Sequence, residues 1–318
     1  MNISLLEPLG ITEEEVCAYA KELEAKGHKF TYYDTKTTDP EELARRSAGQ
    51  DIVMIANNKY PAEVVEKADA LKMIAVAFTG IDHVATDVCK EKGIMICNCA
   101  GYSNTSVSEL AVGMAIGLYR KLSECEAAVR GGGTSAGLTG REIGGKVVGI
   151  VGCGKIGTQA ARLFKAFGAK VLAYSRHPQE SWAAEGIEYA DLDTLLSTSD
   201  IVSVHLPLNA NTRGFLSADK IALMKESAIL INCARGPIID NAALAKALAE
   251  KKIAGAAIDV FDMEPPIPSD YPLLGAPNVL LTPHVAFLTK EAMKRRAAIE
   301  FANVHAYLDG KPENVCAL

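Results

Sequence analysis

A glycine-rich turn at residues 152–157 constrains the fold of this chain more than any other stretch of its sequence. The turn reads Gly-Cys-Gly-Lys-Ile-Gly and directly follows an apolar run, 146–151, that predicts a buried strand. Helical periodicity follows over 158–167, and a second strand is predicted over 170–174. A strand, a G-x-G-x-x-G turn, a helix and a second strand in this order are typical of a unit that binds a dinucleotide.

Each glycine of the turn has its own physical role in such a unit. Gly152 permits the tight turn, and Gly154 lets the backbone approach a pyrophosphate. Gly157 lets the helix pack closely on the strand, so that the helix amides and dipole face the anion. The alternative is an ordinary glycine-rich turn, but the flanking strands and helix favour a Rossmann domain that binds NAD(P).

The residues after the second strand bear on the choice between NAD and NADP. An acidic side chain here would accept hydrogen bonds from the free 2′-hydroxyl of NAD. The sequence has Ser175, Arg176 and His177 instead. Ser175 can hydrogen-bond a 2′-phosphate, and Arg176 and His177 can lie over it. We therefore expect NAD(P) with NADP(H) slightly preferred; the alternative is that Arg176 stacks on adenine and NAD(H) remains usable.

Strands and helices alternate along most of the chain, which predicts parallel sheets covered by helices. A long apolar helix is predicted over 106–122, a flexible segment over 130–134, and an amphipathic last helix over 289–308. We expect an α/β protein with two doubly wound parallel-sheet domains. The predicted substrate domain comprises residues 1–100 plus 287–318, so that the C-terminal helix returns to it, and the Rossmann domain comprises residues 101–286.

Two helix starts carry explicit capping signals. Thr12 precedes a periodic segment and is followed three residues later by Glu15, which is the pattern of a capping box. Asp39 precedes Pro40 and can cap a second helix. These signals predict helices that begin immediately after Thr12 and Asp39.

The charge balance argues against a nucleic-acid surface. The formal net charge is −6, whereas phosphate binding needs a basic stripe. The basic clusters, Arg45 with Arg46 and the Lys-Arg-Arg run at 294–296, are interpreted as solvated helix faces. We expect a small-molecule partner, with no nucleic acid and no membrane.

The cysteines indicate a reducing compartment. Eight occur without a C-x-x-C pair, and Cys97 and Cys99 are too close for the usual zinc spacing. Several lie in apolar strand-like runs, where cysteine acts as a small hydrophobe. The N-terminus lacks the basic and apolar segments of a signal peptide, and no apolar run is long enough to cross a membrane. We expect reduced thiols, no metal and a cytoplasmic location.

Arg235, Glu264 and His284 each come just after an apolar, strand-like run. Ligands of doubly wound sheets bind beyond the carboxyl ends of strands, so we expect all three at one ligand-binding edge. Hydride addition to a carbonyl puts negative charge on its oxygen, and histidine suits proton donation near neutral pH. Glu264 would stabilise and orient the imidazolium, and Arg235 would grip a substrate carboxylate. The alternatives are a surface arginine, a helix-capping glutamate and a structural histidine. Each alternative could hold for one residue, but the occurrence of all three at strand ends after a dinucleotide-binding turn favours the catalytic interpretation.

Short motifs spread over the chain match one known family. They are residues 79–84 (Thr-Gly-Ile-Asp-His-Val), the turn 152–157, residues 205–208 (His-Leu-Pro-Leu) with Thr212, residues 232–236 (Asn-Cys-Ala-Arg-Gly), residues 258–261 (Ile-Asp-Val-Phe) with Glu264 and Pro265, and residues 282–284 (Thr-Pro-His). Along almost its whole length the chain resembles the D-isomer-specific 2-hydroxyacid dehydrogenases. The sequence departs from that pattern at Ser175, where an aspartate is usual, and at Phe78, where a small residue is common. After His284, residues 286–289 (Ala-Phe-Leu-Thr) resemble the D-lactate branch.

The resemblance implies a role for each matching residue. Arg235, Glu264 and His284 would be catalytic, and backbone N–H groups around Thr79 and Gly80 would bind the substrate carboxylate. The implied substrate-binding residues are Phe78, Thr79, Gly80 and Tyr102. The implied cofactor-binding residues are Gly152, Gly154, Lys155, Ile156 and Gly157 at the pyrophosphate, Ser175, Arg176 and His177 at the ribose, His205, Pro207 and Thr212 along the cofactor, and Cys233 (main chain), Ala234 and Asp259 near the nicotinamide.

The resemblance further implies an oxidoreductase that transfers a hydride between NAD(P)H and a small 2-oxo acid to give the D-2-hydroxy acid. Glyoxylate, hydroxypyruvate, pyruvate and branched analogues all fit. One alternative is an NAD(P)-sensing binding protein or corepressor on the same scaffold, and another is a dehydrogenase of a non-carboxylate anion such as phosphite. A homodimer is expected through the helix at 106–122 and the segment 131–137; the alternative is that this helix packs between the domains of a monomer.

Overall fold

The computed structural model describes all 318 residues. The chain forms two compact units: unit 1 contains Met1–Ser103 and Leu288–Leu318, and unit 2 contains Asn104–Phe287. No helix is both long enough and apolar enough to cross a membrane.

Unit 1 is built on a five-stranded sheet in the order β2-β1-β3-β4-β5. Every neighbouring pair of strands is parallel, so all five carboxyl ends lie at one edge. The strands are β1 (Asn2–Leu5), β2 (Lys29–Tyr32), β3 (Ile52–Ile55), β4 (Met73–Val76) and β5 (Met95–Asn98). The helices are α1 (Glu13–Ala25), α2 (Pro40–Ser47), α3 (Ala62–Lys67), α4 (Thr86–Glu91) and the C-terminal α12 (Lys290–Leu308).

Unit 2 contains a seven-stranded parallel sheet in the order β12-β11-β10-β9-β6-β7-β8. Its strands are β6 (Val147–Val151), β7 (Lys170–Tyr174), β8 (Ile187–Tyr189), β9 (Ile201–Val204), β10 (Ile229–Asn232), β11 (Gly255–Ile258) and β12 (Val279–Leu281). Its α-helices are α5 (Asn104–Tyr119), α6 (Leu122–Arg130), α7 (Lys155–Ala166), α8 (Ser181–Ala184), α9 (Leu192–Thr198), α10 (Ala218–Ala222) and α11 (Asn241–Ala249), with 3-10 turns at Gly236–Ile238 and Pro272–Gly275. The expected fold class is confirmed.

Each face of the unit 2 sheet has its own hydrophobic core. One core joins α5 and α7 to the sheet through residues such as Ala111, Phe164 and Ile150. The other joins α9, α10 and α11 through residues such as Leu195 and Leu244. Apolar residues cover both faces, which is why the strands read as continuous apolar runs rather than as alternating ones.

The C-terminal helix α12 belongs to unit 1, where it packs on β4 and β5. Its Phe301 stacks on Tyr19 of α1 with ring centroids 4.6 Å apart. The ring centroid of Phe30 in β2 lies 5.8 Å from that of Phe301. The last helix therefore returns to the first sheet, as the sequence predicts.

Both capping signals act as predicted. The Thr12 hydroxyl accepts a hydrogen bond from Glu15 N (3.2 Å), and Glu15 Oε2 accepts one from Thr12 N (3.0 Å). Asp39 Oδ1 accepts from Glu41 N (3.1 Å) at the start of α2. Short-range polar signals of this kind depend on a few neighbouring residues, so they are legible from sequence alone.

The predicted helix at 106–122 corresponds to α5 (Asn104–Tyr119), and a second helix, α6 (Leu122–Arg130), follows it directly. Lys121 adopts a left-handed conformation with φ 50°, which separates α5 from α6. The residues on both sides have ordinary helical propensity, so the sequence pattern does not reveal the break. Part of the stretch expected to be flexible is helical as well, because α6 extends to Arg130.

The interpretation of the two basic clusters as solvated helix faces is wrong for one arginine in each. Arg46 is 6% exposed and Arg296 is 4% exposed. Arg46 donates to Leu6 O (2.8 Å) and Thr35 O (2.6 Å), and Arg296 donates to Leu9 O (2.6 Å). Each guanidinium compensates for its burial by bonding loop carbonyls.

Two glycine-to-alanine substitutions test the packing of unit 2, and we expect them to change the free energy of unfolding in opposite directions. A Cβ at Gly149 in β6 would lie 2.4 Å from Leu195 Cδ2 and 2.5 Å from Ser199 Oγ, whereas a Cβ at Gly113 in α5 meets nothing within 4 Å. We expect Gly149→Ala to lower the free energy of unfolding by about 1–3 kcal/mol through overpacking. Gly113→Ala should raise it by about 0.5–1 kcal/mol through helix propensity. Urea denaturation measures both, and equal effects of the two substitutions would contradict this account of the core.

Candidate active site and cofactor-binding edge

Two close backbone contacts shape the glycine-rich turn: Gly152 lies against His205, and Gly157 lies against Gly152. Gly152 has φ +97°, and a Cβ there would lie 2.8 Å from the carbonyl carbon of His205. A Cβ at Gly157 would lie 2.2 Å from Gly152 O. Only glycine fits both places, because the first needs a left-handed backbone and the second needs helix and turn in direct contact.

The start of α7 is open toward the carboxyl edge of the sheet. Gly154 caps the helix without a side-chain hydrogen bond, and a Cβ at this position would meet nothing within 4 Å. Lys155 and Ile156 form the first turn of the helix, whose leading N–H groups have no intrahelical acceptor. This cradle fits the pyrophosphate of a dinucleotide, which needs close backbone and N–H donors.

The residues next to the ribose position lie just after β7. Ser175 is half-buried, whereas Arg176 and His177 are exposed. Ser175 Oγ accepts a hydrogen bond from His177 N at 3.4 Å, so the serine shapes the bend in which the arginine lies. A guanidinium that is exposed at this edge can reach an anionic group of a bound ligand.

The segment after β9 lies against the glycine turn. His205 Nε2 is 2.9 Å from Ser203 Oγ, and burial lowers the pKa of His205 to about 4, so the ring is neutral at physiological pH. The Thr212 hydroxyl donates to Pro207 O (2.6 Å) and accepts from Asn209 N (2.8 Å). Thr212 therefore holds the loop that begins at Pro207 in a compact turn.

Asn232, which the sequence analysis assigned no function of its own, shapes the turn that carries Arg235. Its Oδ1 accepts from Ala234 N (2.9 Å), and its Nδ2 donates to Arg235 O (3.0 Å). Arg235 is half-buried, and its Nη1 donates to Ala234 O (2.8 Å). Cys233 is buried, with Sγ 3.6 Å from Met114 Sδ, so its side chain points into the core. The sequence signal that could have indicated this role is an asparagine at the end of an apolar strand, because its side chain can hydrogen-bond the backbone of the following turn.

Glu264 and His284 are in direct side-chain contact at this edge. Both carboxylate oxygens of Glu264 lie 2.9 Å from His284 Nδ1. The His284 side chain is 12% exposed, and its ring meets Phe287 edge-on at a centroid distance of 5.4 Å. A carboxylate at Nδ1 places the Nδ1 proton there and leaves Nε2 as the ring atom that can exchange a proton with a ligand. Arg235 follows β10, and His284 follows β12; the strand β11 lies between these two strands in the sheet.

Asp259 anchors the backbone that carries His284. The buried carboxylate accepts hydrogen bonds from Thr282 Oγ1 (2.5 Å), Val285 N (2.8 Å) and Ala286 N (2.9 Å). Burial raises the pKa of Asp259 in spite of these bonds. His284 itself has φ 56°, an uncommon conformation that neighbouring hydrogen bonds must hold in place. The sequence analysis did not foresee this anchoring role.

The residues expected to bind substrate lie in unit 1, at the carboxyl ends of β4 and β5. Thr79 is exposed and Gly80 is half-buried. Thr79 O accepts from Asn98 Nδ2 (2.8 Å), and Phe78 O accepts from Cys99 N (2.9 Å), so β5 fixes the loop. The Phe78 and Tyr102 rings are buried against each other with centroids 5.9 Å apart.

Family-level comparison supports what the geometry of unit 2 indicates. The family model described as "D-isomer specific 2-hydroxyacid dehydrogenase, NAD binding domain" matches residues 112–286. That range is more than half of the chain and contains all seven strands of the unit 2 sheet. Unit 2 is therefore an NAD(P)-binding Rossmann domain.

Individual relatives cover most of both units. A glyoxylate reductase from Thermofilum pendens is 38% identical over 281 residues, which are 85% of this chain and 82% of the relative. A solved acyclic imino acid reductase in complex with NADPH and D-arginine matches with a TM-score of 0.89 and 29% identity over 100% of both chains. D-Lactate dehydrogenase from Aquifex aeolicus, solved with NAD and lactic acid, matches with a TM-score of 0.84 and 28% identity over 98% of this chain and 96% of that one. On the family match and on this level of identity, the chain belongs to the D-isomer-specific 2-hydroxyacid dehydrogenase family.

Proposed function

We propose that this enzyme reduces a small 2-oxo acid to the D-2-hydroxy acid with NAD(P)H, and that Arg235, Glu264 and His284 carry out the reaction. The observation that carries the proposal is the contact of Glu264 with His284 Nδ1 at 2.9 Å, at the carboxyl edge of the cofactor-binding sheet. A histidine oriented in this way is equipped to donate a proton from Nε2 to a developing alkoxide. The named relatives, a glyoxylate reductase and a D-lactate dehydrogenase, act on substrates of this class.

Each residue has a distinct task in the proposed reaction. A nicotinamide cofactor held by unit 2 would supply the hydride for the carbonyl carbon. His284 gives its Nε2 proton to the carbonyl oxygen, and Glu264 stabilises the imidazolium before transfer. Arg235 holds the substrate carboxylate through its guanidinium fork. In unit 1, the backbone N–H groups of Thr79 and Gly80 are the proposed substrate-binding donors. Asp259 acts on the reaction only through the segment that carries His284.

Four finer assignments belong to the same proposal. Unit 1 (about residues 1–100 and 287–318) is the substrate domain, and residues 101–286 form the cofactor domain. NADP(H) is preferred slightly over NAD(H), because Ser175, Arg176 and His177 stand where NAD-specific domains have a carboxylate. The protein is cytoplasmic and forms a homodimer through residues 106–122 and the segment 131–137. The exposed apolar side chains of Leu122 and of the nearby Val129 support this contact.

The remaining cofactor-binding residues are proposed because they lie after strands of the unit 2 sheet. Gly152, Gly154, Lys155, Ile156 and Gly157 meet the pyrophosphate; His205, Pro207, Thr212, Cys233, Ala234 and Asp259 follow strands of the same sheet and line the rest of the cofactor. Phe78 and Tyr102 complete the substrate-binding set.

The substrate is found by following the absorbance of NADPH and NADH against a panel of glyoxylate, hydroxypyruvate, pyruvate and branched 2-oxo acids. We expect oxidation with at least one acid, and His284→Asn should lower kcat by about 10²–10⁴-fold because the proton donor is lost. Asparagine is chosen because it tolerates the left-handed backbone at this position. Glu264→Gln, which keeps a hydrogen-bond acceptor and removes the charge, should give a smaller loss.

The binding of NADPH, measured by fluorescence, is the control for the His284 variant and should be unchanged. Wild-type kcat in His284→Asn contradicts the assignment of the proton donor. Cofactor binding by the wild-type protein without turnover of any acid favours the nucleotide sensor, and turnover of phosphite alone favours a non-carboxylate dehydrogenase.

A pair of glycine variants tests the dinucleotide cradle. Gly154→Ala should fold normally, because its Cβ meets nothing within 4 Å in the protein, and yet weaken NADPH binding by about tenfold or more by obstructing the pyrophosphate. Gly157→Ala should instead lower the melting temperature, because its Cβ would meet Gly152 O. Calorimetric binding and thermal melting separate the two effects. Native NADPH affinity in Gly154→Ala would place the pyrophosphate elsewhere.

The cofactor preference is tested at Arg176. Arg176→Ala should raise the dissociation constant of NADPH by about tenfold, the value of one lost charge-assisted hydrogen bond, and change that of NADH by less than about twofold. Lys170→Ala is the matched control, because it removes one positive charge from the opposite end of β7. Equal losses for NADPH and NADH, or the same selective loss in Lys170→Ala, would remove the phosphate-binding role of Arg176.

A further inference from the structure

The buried arginine of α12 joins three strand ends of unit 1. Arg296 Nη2 donates to Leu9 O (2.6 Å), which follows β1. The guanidinium carbon lies 5.7 Å from the ring centroid of Phe78, after β4, and 6.0 Å from that of Tyr102, after β5. Cation–π contacts of this kind are strongest where water is excluded, and Arg296 is 4% exposed.

The surrounding backbone reinforces this arrangement. Arg296 O accepts a hydrogen bond from Cys99 Sγ (3.6 Å), and the adjacent Arg295 Nε donates to Tyr102 O (2.9 Å). One turn of α12 thus contacts the segment after β5, and through Arg296 it also contacts Phe78, the residue directly before Thr79 and Gly80. A shift of the guanidinium would move the Phe78 ring, and with it the residue immediately before the substrate loop.

Glu300, one helical turn beyond Arg296, is completely buried, and neither of its carboxylate oxygens has a hydrogen-bond partner. Burial raises the pKa of Glu300 well above its usual range; the charge of Arg296 lowers this pKa and the nearby Glu7 raises it. A charged carboxylate at i+4 would attract the guanidinium along the helix. Burial disfavours the charged form of Glu300, and the guanidinium lies against the rings of Phe78 and Tyr102.

We propose that Arg296 is a positioning residue for substrate binding: through Phe78 and Tyr102 it holds the Thr79–Gly80 backbone where that backbone can bind the carboxylate of a 2-oxo acid. The inference rests on the proposed function. It assigns substrate affinity in part to a side chain that none of the catalytic motifs contains.

The test compares Arg296→Met, Arg296→Lys and a matched control, Arg46→Met. Arg46 is also a buried arginine of unit 1 that bonds loop carbonyls at the same sheet edge, Leu6 O and Thr35 O, and it lies over Tyr33 rather than Phe78. Both methionine variants lose one buried charge and its donors, so both should lower the melting temperature. Only Arg296→Met should raise KM for the 2-oxo acid, by about tenfold, with a smaller change in kcat and unchanged NADPH affinity.

The conservative variant and Glu300→Gln complete the design. Arg296→Lys keeps the cation and should recover part of the lost affinity, and it remains informative if Arg296→Met does not fold. Glu300→Gln should leave KM within about twofold of the wild-type value, since burial disfavours the charge of Glu300 and glutamine keeps the size of the side chain. A several-fold change in KM in Glu300→Gln would show a charged Glu300 and overturn the account of how Arg296 is held.

A direct binding measurement distinguishes failure of this inference from failure of the proposed function. Oxamate, a non-reducible analogue of 2-oxo acids, is titrated calorimetrically into each protein with NADH present. Weaker binding in Arg296→Met, with native binding in Arg46→Met, supports the inference whether or not turnover is found. Equal KM and equal oxamate affinity in wild type and Arg296→Met overturn it while leaving the catalytic proposal intact, and a wild-type protein that neither turns over nor binds oxamate overturns both.

Discussion

The parallel direction of every strand is the constraint on which the functional edge depends. In a parallel sheet all carboxyl ends lie at one edge, so residues more than a hundred positions apart in sequence reach the same side of the molecule. In unit 2 the glycine turn after β6, Arg235 after β10 and His284 after β12 are brought to one edge in this way. The same rule in unit 1 brings the substrate loop after β4 beside Tyr102 after β5.

Within that edge, polar side chains determine the fine geometry by hydrogen-bonding the backbone of neighbouring segments. Asn232 shapes the turn before Arg235, and Asp259 holds the segment around His284 in a left-handed conformation. Neither side chain needs to touch a substrate to matter, because a displacement of the histidine would separate its Nε2 from the reacting oxygen. In unit 1 the corresponding contact is made by a cation: the guanidinium of Arg296 lies against the rings of Phe78 and Tyr102 rather than bonding a backbone turn.

Much of the fold was predictable because its signals are local. The capping box of Thr12 and Glu15, the three glycines of the turn and the continuous apolar strands each depend on a few adjacent residues. The helix α6 was not predicted, although the predicted helix at 106–122 ends close to the end of α5, where Lys121 is left-handed. The prediction for the two basic clusters was wrong for a related reason. The sequence shows that Arg46 and Arg296 are charged, but it does not show that each guanidinium donates to a loop carbonyl inside the protein.

The amino-acid sequence by itself determined the two-domain α/β class, the dinucleotide turn and the candidate trio of Arg235, Glu264 and His284, because residue type and short spacing carry that information. Only the tertiary structure decided that both Glu264 oxygens lie 2.9 Å from His284 Nδ1, that Asp259 anchors the histidine, and that Glu300 is buried one turn from Arg296. These features depend on contacts between segments far apart in the chain. Such contacts are set by how the helices and strands pack, and no local pattern in the sequence encodes them.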